Sequence, residues 1–584
     1  MTQKQSTGKI TTRDRIIILL SIIGLMVCFA VLLPQTRQMI MNWIVYIFQK
    51  EAFQTWIKTL PSYAMGGICF ILFFDYCTLT DSGRVLVQKV RQEIEDCLSE
   101  IDYRSFIKPF LLMSGVYLLG ILTIIRADFS YLDDVGWAIF GHREWYNWSR
   151  YLVVLLSYIV QPEIRMTDIS PLPQLLAVPV LACSSVLLAY ITGNKKITGV
   201  RLLASIPLGL SPFFLECLAF KFMAPYMALS ILASIVPFLF IDRKKAFLFC
   251  SVACLWVMCM TYQAASGIYP MIAVILCFRA WNNERKPDKE ILSFLGRVAF
   301  AFCFALLFFR FFLMRPPVET YTSTEMYPVA HIISGTLSNI KEYVLIINRD
   351  LGMIWKIGIA LILFFFIAKS MYQSSRKKLF SFFVSILFIG ISFVLSFGVY
   401  SLLAKPLYEP RALLGFGVFL AIVCIYVVSD YKKSAIVAVL ALNWCFLIFA
   451  FSYGNALADQ ARYANFRTGI LLHDLNTLFP NRKREDMTIQ FKNSIDYAPS
   501  VKNIAKHYPV IERLVPKRLG ESWWDICYFL EYFNYSQFEN ADISVITTSE
   551  NGNDSNTLNL PVMLDSYYHT IQSDGDHILV TLKH

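Results

Sequence analysis

The feature that most constrains this chain is a recurrence. Apolar runs of about 20 residues, each long enough to cross a bilayer core of about 30 Å, follow one another from Ile16 to Phe451. Lys and Arg gather in alternate loops between them: Lys195-Lys196, Asp242-Arg-Lys-Lys245, Asn282-Asn-Glu-Arg-Lys286, Arg376-Lys-Lys378 and Tyr431-Lys-Lys433. The positive-inside rule puts those loops in the cytoplasm. The spans then read Ile16–Leu33, Ser62–Cys77, 107–125, Pro173–Ile191, Arg201–Leu218, Pro225–Ile241, Phe247–Tyr262, Gly267–Trp281, Ile291–Met314, Leu351–Ala368, Leu379–Leu403, Ala412–Val428 and Ser434–Phe451. That is an α-helical polytopic membrane protein of about thirteen transmembrane helices, N-terminus inside and C-terminus outside.

Composition agrees. Of 584 residues 56% are hydrophobic and only 16% charged, where a soluble chain carries roughly 25% charge. The net charge of +11 sits in loops beside the bilayer, so it is no nucleic-acid signal. The polar, basic residues 1–15 lead into the first run without a small-residue cleavage site, which reads as a retained anchor. Nearly all of the fourteen cysteines lie in apolar runs and read as small buried residues.

Four further segments have their own character. Residues 35–60, with Trp43, Tyr46, Phe48, Phe53 and Trp56, read as an outer interfacial helix. Leu86, Val90, Ile94 and Leu98 recur every four residues along 80–106, an amphipathic helix on the inner surface. Residues 151–160 are apolar but too short to cross. The loop from Arg315 to Asp350 lies outside.

From Gly454 the runs shorten and polar residues take over, dividing the chain into a membrane part, 1–453, and a small extracytoplasmic α/β domain, 454–584. Met487-Thr-Ile-Gln-Phe491, Ile543-Ser-Val-Ile-Thr-Thr548 and His577-Ile-Leu-Val-Thr-Leu582 read as strands, the last behind an Asp574-Gly575 turn. Val501–Val515 and Trp523–Tyr532 read as helices.

Chemistry concentrates outside. The loop 126–150 carries Arg126, Asp128, the adjacent Asp133 and Asp134, Arg143 and Arg150, interleaved with Trp137, Trp145 and Trp148. Taken alone, this is also what an interfacial aromatic belt looks like. The paired carboxylates repel, which raises one pKa and suits a base. Glu216 with Lys221, Tyr262-Gln263, and Lys405 through Tyr408 to Arg411 with Arg315 complete four outer patches. Arginine offers bidentate geometry to a lipid phosphate. Transfer from a lipid-phosphate sugar fits: cations stabilise the leaving phosphate, and one carboxylate takes the proton of the attacking hydroxyl. Inversion needs one base and no protein nucleophile. No metal or other cofactor is required.

The Asp133-Asp134 pair, Gly141-His-Arg143, Asp168 with Pro171-Leu-Pro-Gln174, Glu216 followed by Met223 and Met227, and Tyr262-Gln263 together resemble the Gtr family of phage-type, serotype-converting O-antigen glucosyltransferases, GT-C-class membrane enzymes, over roughly 100–430. One departure is Trp137, standing where those enzymes often show an arginine. The resemblance implies a polyprenyl-phosphate glucose donor, a lipopolysaccharide O-antigen acceptor and a periplasmic active site in the bacterial inner membrane. It also implies a small flippase and a polyprenyl-phosphate glucosyltransferase acting upstream. Asp133 or Asp134 is then the base. Arg143, Arg315, Lys405 and Arg411 are candidate phosphate ligands. Arg126, Asp128, Trp137, Trp145, Glu216, Lys221, Gln263 and Tyr408 are further substrate-binding candidates. An O-antigen polymerase with a lipid-diphosphate donor is the nearest alternative, and a lipid or sugar transporter a more distant one.

Overall fold

A computed structural model describes residues 12–37, 39, 54–315, 324–429, 432–480, 488–520, 542–546, 560–575 and 577–583. Most of the expected interfacial segment 35–60 and the expected helix Trp523–Tyr532 lie outside these residues.

The protein is a multi-pass helical bundle with a small sheet near its C-terminus. Among the described residues, eleven helices are long and apolar enough to cross a membrane. Gly199–Leu210 and Pro212–Ala219 add a twelfth if their 61° bend lies within one span. Ser211 sits at the bend, and its hydroxyl accepts from the Phe214 amide to start the second half. Ala224–Phe240, expected as a span, is a shorter apolar helix.

Position in the bundle follows from patterning. Leu414–Val428 is apolar all round and every one of its residues is buried, so it forms the centre. Asp14–Leu32 stands at the rim with most of its side chains outward. Tyr103–Ala127 crosses Lys433–Leu478 in close contact. A Cβ at Gly454 would lie 2.4 Å from the Thr123 carbonyl carbon, and Thr123 Oγ1 donates to the Ala450 carbonyl at 3.1 Å.

Two elements differ from expectation. Residues Ile332–Asp350 form a helix rather than part of a loop. Gly335, Asn339, Tyr343, Ile346, Ile347 and Asp350 are its buried face, a 3.6-residue period that a search for continuous apolar runs passes over. The helix Lys433–Leu478 also runs 46 residues through Gly454 without a break. The change of composition there therefore falls inside one helix.

The C-terminal half of that helix carries the sheet. The strands β1 (Thr488–Lys492), β2 (Asp542–Ile546), β3 (Val562–Asp565), β4 (His569–Ser573) and β5 (His577–Leu582) lie in the order β2-β1-β5-β4-β3. β1 runs parallel to both neighbours, and the β3-β4-β5 pairs are antiparallel. Ile489, Phe491, Ile571, Ile578 and Val580 pack on Leu471, Leu472 and Leu475 of the helix. Pro499–His507 and Ile511–Leu514 occupy the region expected as one helix, broken around Pro509.

Candidate active site

The loop that follows Tyr103–Ala127 is built as a sharp turn. Asp128 and Leu132 both take positive φ, and the Asp134 amide closes back on the Tyr131 carbonyl at 3.0 Å. Asp134 opens the short helix Asp134–Phe140, with Asp133 at its N-cap.

The two aspartates therefore part. Asp134 is fully buried and accepts from the backbone amides of Tyr131 at 3.1 Å, Lys221 at 2.9 Å and Phe222 at 3.4 Å. It pins the loop to the turn between Pro212–Ala219 and Ala224–Phe240. Burial pushes its pKa up to about 8, against the pull of the Lys221 and Tyr131 amides. Asp133 is exposed, makes no side-chain cap bond, and lines a cavity of about 390 Å³.

That cavity gathers Asp133, Trp137, Trp145, Gln263, Arg315 and Arg411 of the expected residues. Trp137 meets Trp145 edge-to-face with ring centroids 5.2 Å apart, and Trp145 packs on Tyr226. Gln263 is turned by its Nε2 bond to the Trp148 carbonyl at 3.1 Å. The Arg315 amide is held by Ser149 Oγ at 2.7 Å. Arg411 pairs with the buried Glu216 at 2.6 Å and also gives Glu216 its backbone amide. Removing both charges from water is costly, so this pair fixes the guanidinium rather than adding net stability.

Other expected residues lie outside this lining. Arg143 is buried and spends its guanidinium on Ser157 Oγ and the Gln161 and Ile164 carbonyls, 4.0 Å from the Tyr158 ring centroid. Lys221 bridges Asp128 at 2.6 Å and Asp168 at 3.2 Å. Burial lowers its pKa, but the two carboxylates outweigh that and hold it above the ordinary lysine value. Arg126 is exposed and bonds Asn455. Lys405 is exposed outside the cavity lining. Tyr408 donates to Asn339 Oδ1 at 3.1 Å.

Sequence reasoning missed Arg310 and left Arg150 without a role. Both line the cavity. Arg150 lies over the Tyr262 ring at 4.9 Å. Its Nε, the Tyr262 hydroxyl and the Trp145 indole N–H are buried without a hydrogen-bond partner among the described residues. Each such donor costs about 1–3 kcal/mol when unsatisfied. Three of them around one cavity suit a ligand rich in oxygen. Phe302, Leu306, Leu307 and Arg310 of the lining come from the apolar helix Asp288–Phe308 and the π-helical turn Phe309–Leu313 that extends it. Among the described residues, no group of three His, Cys, Asp or Glu side chains is placed to hold a metal.

A family model described as "Glucosyl transferase GtrII" matches residues 122–448, which hold all of this cavity. The chain belongs to the GtrII glucosyltransferase family. It is also 25% identical over 444 residues to an uncharacterized 55.3 kDa protein in the gtrB 5′ region of Salmonella phage P22, covering 72% of this chain and 88% of the phage protein. No solved structure matches it. The GtrII match begins near the end of Tyr103–Ala127 and stops within Lys433–Leu478, before Gly454, so it includes only part of each of these two helices.

Proposed function

We propose that this GtrII-family chain is a GT-C-class glycosyltransferase of the bacterial inner membrane. It moves a hexose, glucose by the family's description, from a polyprenyl phosphate to lipopolysaccharide O-antigen on the periplasmic face. The N-terminus is cytoplasmic, 1–453 holds the catalytic part, and 454–584 forms a periplasmic domain. A small flippase and a polyprenyl-phosphate glucosyltransferase act upstream to deliver the donor.

The observation that carries this reading is the make-up of the cavity. Among its described lining residues Asp133 is the one carboxylate, set in a chamber with Arg150, Arg310, Arg315 and Arg411. Asp133 takes the proton of the acceptor hydroxyl. That oxygen forms a bond to the anomeric carbon as the bond from that carbon to the phosphate oxygen breaks. The electron pair leaves with the phosphate, whose charge Arg150, Arg315 and Arg411 stabilise. Attack opposite the leaving group inverts the anomeric centre. Trp137 and Trp145 offer flat apolar faces to a sugar ring. The apolar wall of Phe302, Leu306 and Leu307 suits the prenyl chain.

The test is reconstitution. Purified protein in vesicles, given polyprenyl-phosphate glucose and O-antigen, should add hexose mass to the glycan with inverted anomeric configuration. No transfer from that donor would sink the reading. Four arginines around one site also favour a second reading, a lipid-diphosphate donor and glycan polymerisation. That reading predicts activity with the diphosphate, and retained turnover in Asp133→Asn.

A further inference from the structure

We propose that residues Arg513–Arg518 form an internal strap that positions Asp133 and Arg411 relative to each other. This rests on the catalytic reading above. It assigns positioning roles to Arg513, Arg518 and Tyr131, none of which lines the cavity.

The two groups the chemistry needs come from loops far apart in sequence. One short stretch of the C-terminal region grips both. Arg513 reaches the buried carboxylate of Asp350 and the Tyr408 carbonyl, in the loop that ends at Arg411. Arg518, itself buried, donates to the Ser130 carbonyl and lies over the Phe129 ring at 4.8 Å. Phe129 and Ser130 enter the turn that carries Asp133. Between these arginines, the Leu514 carbonyl oxygen lies 3.0 Å from the Tyr131 hydroxyl and 3.2 Å from that of Tyr453.

Tyr131 closes the circuit. Its hydroxyl is also 3.3 Å from Glu216 Oε1, the same oxygen that Arg411 bonds. Its backbone amide holds Asp134. A single buried residue thus touches the strap and the partner of Arg411 through its hydroxyl and the neighbour of Asp133 through its backbone amide.

The strap is itself anchored. Gln460 of the long helix accepts from the Ala498 amide at 2.9 Å and donates to the Asp496 carbonyl at 3.3 Å. Tyr508 stacks on Trp355 with centroids 5.4 Å apart and meets Phe449 at 5.2 Å. The Ile495 amide donates to the Arg518 carbonyl at 2.8 Å. A strap fixed at both ends transmits position, and displacement of about 1 Å at a reacting group costs on the order of 10²-fold in rate.

The experiment compares Arg513→Lys, Arg518→Lys and Tyr131→Phe with wild type in the reconstituted assay. Lysine at 513 keeps the charge pair with Asp350, and so the fold, but has no fork to hold Asp350 and the Tyr408 carbonyl together. Each variant should accumulate and melt close to wild type. Each should lose about 10–100-fold in kcat while the KM for donor moves less than about threefold. Wild-type kcat in all three overturns the strap, as does a matching loss in kcat and melting temperature with kcat restored at lower temperature. If a lysine variant does not accumulate, Tyr131→Phe, which removes a single oxygen, decides the matter alone. Failure of the catalytic reading is a separate outcome, visible as no transfer by wild type itself.

Discussion

Asp133 and Asp134, neighbours in sequence, occupy opposite environments: Asp133 lines the arginine-rich cavity, while Asp134 is sealed beneath it by three backbone amides. A turn closed between Tyr131 and Asp134 produces this division. Burial is the main cause that raises the Asp134 pKa, and the charge of Asp133 adds to it.

The two asparagine variants should therefore fail differently. Asp133→Asn should fold and insert normally yet lose about 10²–10⁴-fold in turnover, the usual cost of removing a general base. Asp134→Asn presents an NH2 group to backbone donors and should cost about 1–3 kcal/mol of stability. Thermal melts in detergent beside turnover assays separate the two. Equal melting temperatures with equal activities would assign neither aspartate its role.

The Glu216–Arg411 pair sets a second test. Glu216→Gln leaves a buried guanidinium without its counter-charge and should destabilise by about 3–5 kcal/mol. Glu216→Gln with Arg411→Gln should recover accumulation in the membrane but not sugar transfer, because a cation facing the phosphate is gone. Quantified expression and melting of the single and double variants check this. Wild-type stability in Glu216→Gln alone would refute it.

Lys221 should prove structural. Lys221→Met removes the bridge to Asp128 and Asp168, and the partial exposure of both acids limits the loss to about 1–2 kcal/mol. Donor KM should stay within about threefold of wild type. A large rise in KM with an unchanged melting temperature would make Lys221 a phosphate ligand instead.

How far the sequence could be read depends on the length scale of each signal. The apolar runs and the acidic loop were legible because both are continuous. Ile332–Asp350 was not, since its apolar face is interrupted by Asn339 and Asp350. Nor could spacing separate Asp133 from Asp134, because one residue on a turn reverses a side chain's direction. Arg143 looked like a phosphate ligand, yet the acceptors it meets lie in its own neighbourhood, from Ser157 to Ile164. Arg513 and Arg518 sit in no recognisable motif. Their partners, Asp350, Tyr408 and Ser130, come together only in three dimensions.

The sheet should respond to mild acid. His569 on β4 is buried with Nε2 3.0 Å from Asp474 Oδ2 of the long helix. Burial lowers its pKa, more than the pull of Asp474 raises it. The unfolded imidazole, near 6.5, thus takes up a proton before the folded one does. Stability present above about pH 6.5 is lost as pH falls through the folded value. Hydrogen exchange of β4 and β5 amides should show weaker protection at pH 5.5 than at pH 7.5, and His569→Asn should shrink that difference. Protection that rises in acid would contradict it.

The unbroken helix Lys433–Leu478 has a mechanical consequence. Forty-six residues at about 1.5 Å each make a rod roughly 69 Å long, over twice the ~30 Å of hydrocarbon it crosses. The sheet rides on the far half, so its height above the lipid is set by the bundle in which the near half is packed. Helix and sheet then act as a gauge, holding the sheet at a fixed stand-off from the lipid surface.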